Sequence, residues 1–331
     1  MQQITVGDNE AGQRLDKLLA KYLREAPKSF LYKMLRKKNI TLNGKKASGS
    51  EKLFKGDEIK LFLADETIAK FAGDAGLPAE RHMNKESSHA VRLDILYEDS
   101  NILLINKPAG MLSQKAQDTD VSLVEYLHDY LLQSGALTGD EMRTFRPSVC
   151  NRLDRNTSGI VAAGKSLQGL QELSRLFKDR TLGKYYLCLV QGEVKERSRI
   201  CGFLKKDEKS NQVRITDSPE AGSAAIETEF CPLKSKGGVT LLEVHLITGK
   251  THQIRAHLAS AGYPILGDYK YGGRKLGDRY KNAYGLNHQL LHAYRITFPA
   301  LEGPLSVLSG KEFRAPLPGE FQKIAKDKGV L

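Results

Sequence analysis

The sequence feature that most constrains this chain is a nine-residue stretch, residues 151–159, which reads N-R-L-D-R-N-T-S-G. It leads into residues 160–163, where small and β-branched apolar residues after a glycine predict a buried strand. Asp154 therefore lies in a polar loop at the edge of a sheet, between Arg152 and Arg155. We expect it to be ionised, because nearby positive charge favours a carboxylate. An isolated pattern of this kind is more often a salt-bridged turn, so it does not establish a function by itself.

The composition limits the class of protein. The chain has 331 residues, enough for two domains, and its 40% hydrophobic and 27% charged residues are typical of a soluble globular protein. It contains no run near the ~20 apolar residues that span a bilayer, and its N-terminus does not resemble a signal peptide. Four scattered cysteines predict free thiols and a cytoplasmic location. The net charge of +12 favours a polyanionic partner, nucleic acid before a membrane surface.

Residues 1–63 are predicted to form a small domain of two helices and two short strands. Between residues 28 and 46 there are seven basic residues and no acidic ones. A solvated helix face is the simpler explanation, but such faces usually carry acids that pair with bases four residues away. We therefore expect RNA contacts from four residues along the outer side of the second helix, Lys33, Arg36, Lys37 and Lys38.

The rest of the chain divides into a linker, a large domain and a tail. Residues 64–90 lack a sustained apolar period and predict a linker, helical only over residues 67–71. Alternating and helical apolar patterns then continue through residues 91–320 and predict one domain. Residues 321–331 are expected to be a tail with a short surface helix.

Several motifs of the large domain resemble those of the RluA-type pseudouridine synthases. The nine-residue stretch is similar to the family's H-R-L-D-R-x-T-S-G motif, with Asn151 in place of the frequent His. Residues 106–110 resemble N-K-P-x-G, residues 184–186 resemble K-x-Y, and residues 248–257 resemble T-G-R-x-H-Q-I-R-x-H, with Lys250 for Arg. The resemblance covers about residues 92–318, and several motifs in order are far more specific than one.

The first domain resembles a different family, the S4 RNA-binding domains. The resemblance rests on R-L-D-K-L-L, a basic second helix, I-T-L-N-G-K and G-D-E-I. It implies a unit that binds structured RNA through backbone charge. Together the two resemblances imply an α+β chain. An S4-like (αL) domain would precede a pseudouridine synthase domain with a mixed, mainly antiparallel sheet and a central cleft.

Pseudouridine formation breaks the N1–C1′ bond of a uridine and rejoins the base through C5. The reaction needs no redox change and no energy donor, so we expect no cofactor. The sequence contains no P-loop and no glycine-rich dinucleotide motif. His252 and His257 are five residues apart, unlike the i,i+4 pair of H-E-x-x-H enzymes, so we expect no metal.

The resemblance also implies roles for individual residues. Asp154 would be the catalytic carboxylate and Arg255 its ion-pair partner, while Tyr186 would pack on the target base. Arg152 would fill the space that the extruded uridine leaves, or would simply contact a phosphate. Three routes stay open for the carboxylate: attack at C1′, removal of a sugar proton, or addition to the base ring. The remaining RNA-binding residues in this domain would be Arg155 and Lys250.

We therefore expect a monomeric RNA pseudouridine synthase without cofactor, metal or membrane partner. The S4-like domain favours large-subunit ribosomal RNA as the substrate. One alternative is a synthase specific for tRNA. Another is a non-catalytic RNA-binding or ribosome-assembly protein that keeps the fold.

Overall fold

The computed structural model describes residues 1–72, 92–207 and 212–331, which form two folded units. The first unit is a four-stranded antiparallel sheet, in the order β1-β4-β2-β3, with three helices. Its elements are β1 (Gln2–Thr5), α1 (Leu15–Tyr22), α2 (Lys28–Arg36), β2 (Ile40–Leu42), β3 (Lys45–Lys46), β4 (Glu58–Leu61) and α3 (Asp65–Ala72).

The helices of the first unit follow the apolar spacing of the sequence. Leu15, Leu18, Leu19 and Tyr22 of α1 are all buried in one core, together with Leu31 and Leu35 of α2. Helix α2 begins without a capping side chain, although Ser29 lies near its start. Pro27 is the residue before the first helical one.

Helix α3 corrects the predicted boundary at residue 63. Ile68 is buried in the core of the first unit, and the Phe71 ring lies 4.5 Å from the Phe30 ring of α2. The Glu25 backbone N–H also donates to the Phe71 carbonyl at 3.0 Å. Residues 64–72 therefore belong to the first unit, because this short amphipathic helix buries its apolar face there. The remainder of the predicted linker, residues 73–90, lies outside the described residues.

The second unit is built on an 11-stranded sheet. Nine strands follow the order β11-β10-β12-β13-β9-β14-β8-β6-β5, while β15 pairs with β14 and β7 pairs with β8. The β14–β8 pair is parallel and the other pairs are antiparallel, which confirms the prediction of a mixed, mainly antiparallel sheet. The strands are β5 (Ile95–Glu98), β6 (Ile102–Lys107), β7 (Ser148–Val149), β8 (Ser158–Gly164), β9 (Gly183–Gln191), β10 (Ser198–Asp207), β11 (Gln212–Thr216), β12 (Ala224–Lys236), β13 (Val239–Leu246), β14 (Leu291–Thr297) and β15 (Glu312–Arg314).

Helices cover this sheet and connect its strands. They are α4 (Leu123–Gln133), α5 (Glu141–Thr144), α6 (Leu167–Lys178), α7 (Gln253–Ser260), α8 (Arg274–Tyr284) and α9 (Gly319–Asp327), with a 3₁₀ turn at Gly303–Leu308. Helix α4 begins with a capping box, in which Ser122 and Glu125 exchange hydrogen bonds between side chain and backbone. Of the helices in the described ranges, none combines the length and apolarity needed to cross a bilayer.

Strand β8 explains why a glycine ends the nine-residue stretch. All seven residues of β8 are buried, and the strand starts beside β14 in the parallel pair. Gly159 has a φ of +110°, and a Cβ added there would lie 2.1 Å from the carbonyl oxygen of Ala293. A side chain would therefore force β14 away from the point where the Asp154 loop enters the sheet.

The C-terminal residues also differ from their prediction. Phe321, Ile324 and Val330 are buried in a cluster with residues of β9, β13 and α8. Residues 321–331 are therefore part of the second unit and not a tail, because the apolar face of α9 completes this cluster. The predicted helix is present, but only its charged face is on the surface.

The two units meet at a polar interface. Thr144 Oγ1 donates to Glu10 Oε1 at 2.6 Å, and the Leu167 backbone N–H donates to Asn9 Oδ1 at 2.8 Å. The Arg143 guanidinium lies over the Tyr22 ring, 5.4 Å from its centre. Since Glu10 is buried, this contact holds the first unit against α5 and the start of α6.

Candidate active site

The site forms where the loop between β7 and β8 faces the first turn of α7. Arg255, on α7, donates from Nη1 to Asp154 Oδ2 at 2.9 Å. The Asp154 side chain is 26% exposed and that of Arg255 is 9% exposed. The pairing that the sequence resemblance implied therefore occurs, and it leaves the carboxylate open to the cleft.

A second carboxylate holds Arg255 from its other side. Arg255 Nε donates to Asp268 Oδ2 at 2.7 Å and Nη2 donates to Asp268 Oδ1 at 2.9 Å, in a two-pronged contact. Asp268 is 1% exposed, and its Oδ1 also accepts the backbone N–H groups of Lys270 and Tyr271. Burial opposes the charged guanidinium, but Asp268 and then Asp154 outweigh burial and raise the pKa of Arg255. The guanidinium is thus fixed in orientation and in charge.

The two oxygens of Asp154 are in different surroundings. Oδ2 accepts from Arg255 and lies 3.8 Å from His252 Nε2. Oδ1 accepts no hydrogen bond from any of the described residues, although the carboxylate lines the cleft. Oδ1 is therefore the oxygen available to a bound substrate.

His252 closes one side of the site. It precedes the first residue of α7 with a φ of +54°, a left-handed conformation that is uncommon outside glycine. Its Nδ1 is 2.9 Å from the Tyr271 hydroxyl, and the Tyr271 ring lies under the Arg255 guanidinium at 5.1 Å. Burial lowers the pKa of His252, and the negative charge of Asp154 partly opposes that effect. The imidazole is thus mainly neutral at pH 7.

Two residues in or just after the N-K-P-x-G motif, Gly110 and Ser113, hydrogen-bond to the backbone of the loop that carries Asp154. Ser113 is buried, and its hydroxyl both donates to the Leu153 carbonyl and accepts the Leu153 N–H, at 3.0 Å each. The Gly110 N–H donates to the Arg155 carbonyl at 2.9 Å. Ser113 and Gly110 thus fix the backbone beside the carboxylate.

Lys107 reinforces the same loop from inside the protein. The residue is fully buried, and its ammonium donates to three carbonyls, those of Pro108, Met111 and Arg155, at 2.9, 2.9 and 3.1 Å. Burial lowers the pKa of Lys107 to about 7, while the charge of Asp154 opposes that shift. The N-K-P-x-G loop and the Asp154 loop are therefore held as one piece.

Tyr186 enters the cleft from β9. Its ring is buried in the same cluster as Cys188, two residues further along the strand, and it lines the cleft beside Asp154. Burial and then the Asp154 charge raise the pKa of the Tyr186 hydroxyl. The hydroxyl therefore keeps its proton at neutral pH and can donate a hydrogen bond in the cleft.

Asn151, the position where the sequence departs from the family motif, is turned toward the sheet. Its Nδ2 donates to the Ile160 carbonyl at 3.2 Å, and its Oδ1 accepts the Ala162 N–H at 2.8 Å. The Asn151 side chain thus pairs with backbone groups of β8 as a neighbouring strand would, and it holds the start of the Asp154 loop against that strand.

The cleft has a volume of about 1190 Å³ and a strongly positive lining. Among its described lining residues the only carboxylates are Asp154 and Asp268, against ten lysines and arginines. Three of the residues predicted to bind RNA are exposed along its walls, namely Arg152, Arg155 and Lys250. Such a lining attracts a polyanion and concentrates it at the carboxylate.

The predicted cations of the first unit lie elsewhere. Lys33 and Arg36 are exposed on α2, and Lys37 and Lys38 are exposed just after it. Within the part of the chain that the structure describes, these four form no ion pair, and none of them lines the cleft. The structure therefore brings Asp154, Tyr186 and Arg255 together and leaves the α2 cations as a separate surface.

Sequence reasoning missed the functional surroundings of the Asp154–Arg255 pair. The sequence predicted no catalytic or positioning role for His252, for Lys107 of the N-K-P-x-G motif, or for Asp268, which follows the motif at residues 248–257. Their signal in the sequence was weak but present: each lies within or beside a stretch that resembles the family. The contacts themselves join residues far apart in the chain, and no local pattern predicts them.

Comparisons with known proteins identify the family and the fold. Residues 101–260 match the family model described as RNA pseudouridylate synthase. Ribosomal large subunit pseudouridine synthase C of Vibrio vulnificus is 31% identical, with 98% of this chain and 96% of that protein aligned. The protein of the same name from Escherichia coli is 31% identical over 89% of this chain and 88% of its own. Human RNA Pseudouridylate Synthase Domain Containing 4 shares the fold, with a TM-score of 0.57 at 22% identity over 70% of this chain and 91% of that structure.

Proposed function

Because this chain belongs to the RluA-type family of RNA pseudouridylate synthases, we propose that it isomerises uridines of large-subunit ribosomal RNA and that Asp154 is its catalytic carboxylate. The observation that carries the proposal is the arrangement of Asp154, Arg255 and Asp268 at the base of a positively lined cleft. The choice of ribosomal RNA rests on the names of the similar proteins and on the basic first unit.

The arrangement gives each oxygen of Asp154 a separate task. Arg255 holds Oδ2, so the carboxylate cannot rotate freely, and Oδ1 accepts no hydrogen bond from the described residues. A fixed anion can attack C1′, take a sugar proton or add to the base ring, and Oδ1 is the oxygen left free for any of these routes. Held geometry of this kind lowers the barrier because little reorganisation is needed when charge moves.

Tyr186 and the cleft walls would hold the extruded uridine. The Tyr186 ring offers a surface for base stacking, worth ~1–3 kcal/mol, and its protonated hydroxyl can hydrogen-bond the base. A uridine in folded RNA must leave its stack at a cost of a few kcal/mol. Arg152, exposed on the wall, can place its planar guanidinium in the vacated position or pair with a phosphate.

The first unit would add affinity without reading the base sequence. The resemblance to S4 domains and the exposed, unpaired cations of α2 support a phosphate-binding role. Since the unit is docked on α5 through Glu10 and Thr144, RNA held by α2 would approach the cleft from one direction.

The test of the catalytic assignment is release of the C5 hydrogen from RNA labelled at C5 of uridine. We expect the wild-type protein to release it from large-subunit ribosomal RNA, and Asp154→Asn to be slower by roughly 10³-fold or more, as for loss of a group that acts in bond breaking. Asp179→Asn, on the surface at the end of α6, is the matched control and should keep full activity.

The results separate the alternatives. Equal, negligible release by wild type and Asp154→Asn would support the non-catalytic RNA-binding role instead. Pseudouridine maps of RNA from cells with and without the protein then test the substrate. Loss confined to tRNA would overturn the ribosomal assignment and leave the catalytic one intact.

A further inference from the structure

Helix α8 (Arg274–Tyr284) lies on the rim of the cleft and has no part in the chemistry described above. The residues just before it, 267–270, line the cleft, and so do residues 287–289 just after it. The helix is therefore anchored to the cleft wall at both ends. Anything that enters the cleft and extends past that wall meets α8.

The helix has two distinct faces. Gly277 and Tyr280 are buried, and Tyr284 packs with Tyr280 in a stack of rings 6.1 Å apart. The opposite side carries only polar residues across an arc of roughly 160°. In order around that arc these are Lys281, Arg274, Asp278, Asn282, Lys275 and Arg279, and all six are exposed.

The basic residues of this arc have no acidic partner among the described residues, although the Arg279 guanidinium lies over the Tyr280 ring, 5.8 Å from its centre. Within the described residues, Arg274, Lys275, Arg279 and Lys281 form no ion pair. Lys275 and Arg279 are four residues apart on the helix, a spacing at which like charges repel. The single acid of the arc, Asp278, is engaged by the Tyr269 hydroxyl at 3.1 Å. Four cations are thus left available to an outside partner.

Tyr269 shows that the basic arc adjoins the cleft. This residue lines the cleft, and its hydroxyl donates to Asp278 in the middle of the arc. Its ring also packs so close to α8 that a Cβ at Gly277 would lie 2.6 Å from it. The absence of a side chain at Gly277 therefore lets the helix sit directly against the cleft wall. The positive lining of the cleft continues onto α8.

We propose that the basic arc of α8 binds the phosphate backbone of the substrate RNA beside the extruded uridine. The inference rests on the proposed function and adds a contact surface that is separate from both the cleft and the first unit. Phosphate is the group that an array of unpaired lysines and arginines fits best. A protein partner fits less well, because the arc presents none of the apolar or aromatic side chains that anchor protein interfaces.

The experiment compares two triple variants with the same change in charge. The test variant is Arg274→Gln, Lys275→Gln and Arg279→Gln. The control is Lys195→Gln, Lys234→Gln and Lys311→Gln, three exposed lysines that do not line the cleft. Binding of a large-subunit RNA fragment is measured between 50 and 200 mM salt, and C5-hydrogen release is measured at saturating RNA.

We expect the α8 variant to bind RNA more weakly than the control. The slope of log affinity against log salt concentration should become shallower by about one for each phosphate contact removed. Its rate at saturating RNA should equal that of the wild type, because the carboxylate is untouched. If the α8 variant has the same affinity and salt slope as the control, the proposal is overturned. It is also overturned if the α8 variant binds RNA normally but no longer retains a ribosomal protein in a pull-down. Absence of C5 release in the wild type would instead count against the proposed function, whatever the binding result.

Discussion

The active site of the second unit and helix α2 of the first unit use charge in opposite ways. In the active site the charges are paired, with Arg255 held between Asp154 and the buried Asp268 at 2.7 to 2.9 Å. In the first unit the cations of α2 are exposed and form no ion pair among the described residues. A buried pair has one geometry, whereas an exposed cation adapts to many phosphate positions. The difference is what the two proposed tasks require, catalysis at Asp154 and RNA binding on α2.

The same contrast appears in how each unit is stabilised. The first unit is held by an apolar core of α1, α2, α3 and the small sheet. The second unit has apolar cores too, but its functional loop depends on buried polar contacts from Lys107 and Ser113. Buried polar networks are costly when one member is removed, because the others stay unsatisfied. Changes in the second unit should therefore affect stability more than changes on α2.

The largest expected effect comes from the buried carboxylate behind Arg255. Asp268→Asn leaves a buried guanidinium with one charged partner, and loss of a partner from a buried pair costs about 3–5 kcal/mol. We expect a free energy of unfolding in urea lower by about 3 kcal/mol, and a lower rate at saturating RNA because Arg255 no longer orients Asp154.

The comparison for that variant is Asp179→Asn, which removes half of an exposed pair with Arg175 and should cost about 0–1 kcal/mol. If the two variants unfold at the same urea concentration, Asp268 does not hold Arg255 in the way the distances indicate. If Asp268→Asn is less stable but keeps the wild-type rate at saturating RNA, Asp268 stabilises the fold without orienting Arg255.

A smaller effect concerns pH and His292, which is buried in the second unit with Nδ1 2.8 Å from Ser158 Oγ. Burial lowers the pKa of His292 to about 4, against 6.5 for the unperturbed group. Between these values the unfolded chain binds the proton and the folded chain does not, so acidification favours unfolding. We expect the wild type to lose roughly 2 kcal/mol more than His292→Gln between pH 6.5 and pH 5.

Urea unfolding of both proteins at the two pH values measures this difference directly. Parallel stability losses would show that His292 is not kept neutral by its surroundings. The result also bears on the contrast between the units, because residues 1–72 contain no histidine. A titration of this type can therefore arise only in the second unit or in the segment between the units.

The smallest effect on stability is expected on α2. The triple change Lys33→Gln, Arg36→Gln and Lys37→Gln removes exposed, unpaired charges and should alter the free energy of unfolding by no more than about 0.5 kcal/mol. RNA affinity should fall, with the salt slope reduced by about one per lost contact, while the rate at saturating RNA is kept.

The control for α2 is a change of equal charge on other elements of the same unit, Lys17→Gln, Lys52→Gln and Lys70→Gln, all exposed. Equal affinity losses in the two triple variants would mean that α2 is not a distinct RNA-binding surface. A loss of the saturated rate would mean that the first unit takes part in the reaction as well as in binding.

The sequence predicted those features that depend on local pattern. The apolar run after Gly159 predicted β8, the spacing of leucines predicted α1, and the motif resemblances implied the Asp154–Arg255 pair. Helices α3 and α9 were predicted in type but not in place, because amphipathic spacing shows that a face is apolar and does not show what covers it.

Contacts between distant segments could not be predicted in this way. Asp268 reaches Arg255 through a loop after α7, and Lys107 reaches the Arg155 carbonyl 48 residues along the chain. Each contact depends on the arrangement of several strands, so the sequence around each residue does not indicate it. The same holds for α8, whose basic residues were visible in the sequence while their position at the cleft was not.

The contact between Glu10 and Thr144 bears on which RNAs the protein can accept. The hydrogen bond between them is buried and 2.6 Å long, and it joins the first unit, which carries α2, to α5 of the second unit. If α2 binds phosphate as proposed, an RNA would engage α2 and Asp154 together only where its helical arm and reactive uridine match the distance between the two. Discrimination among RNAs would then follow from their architecture.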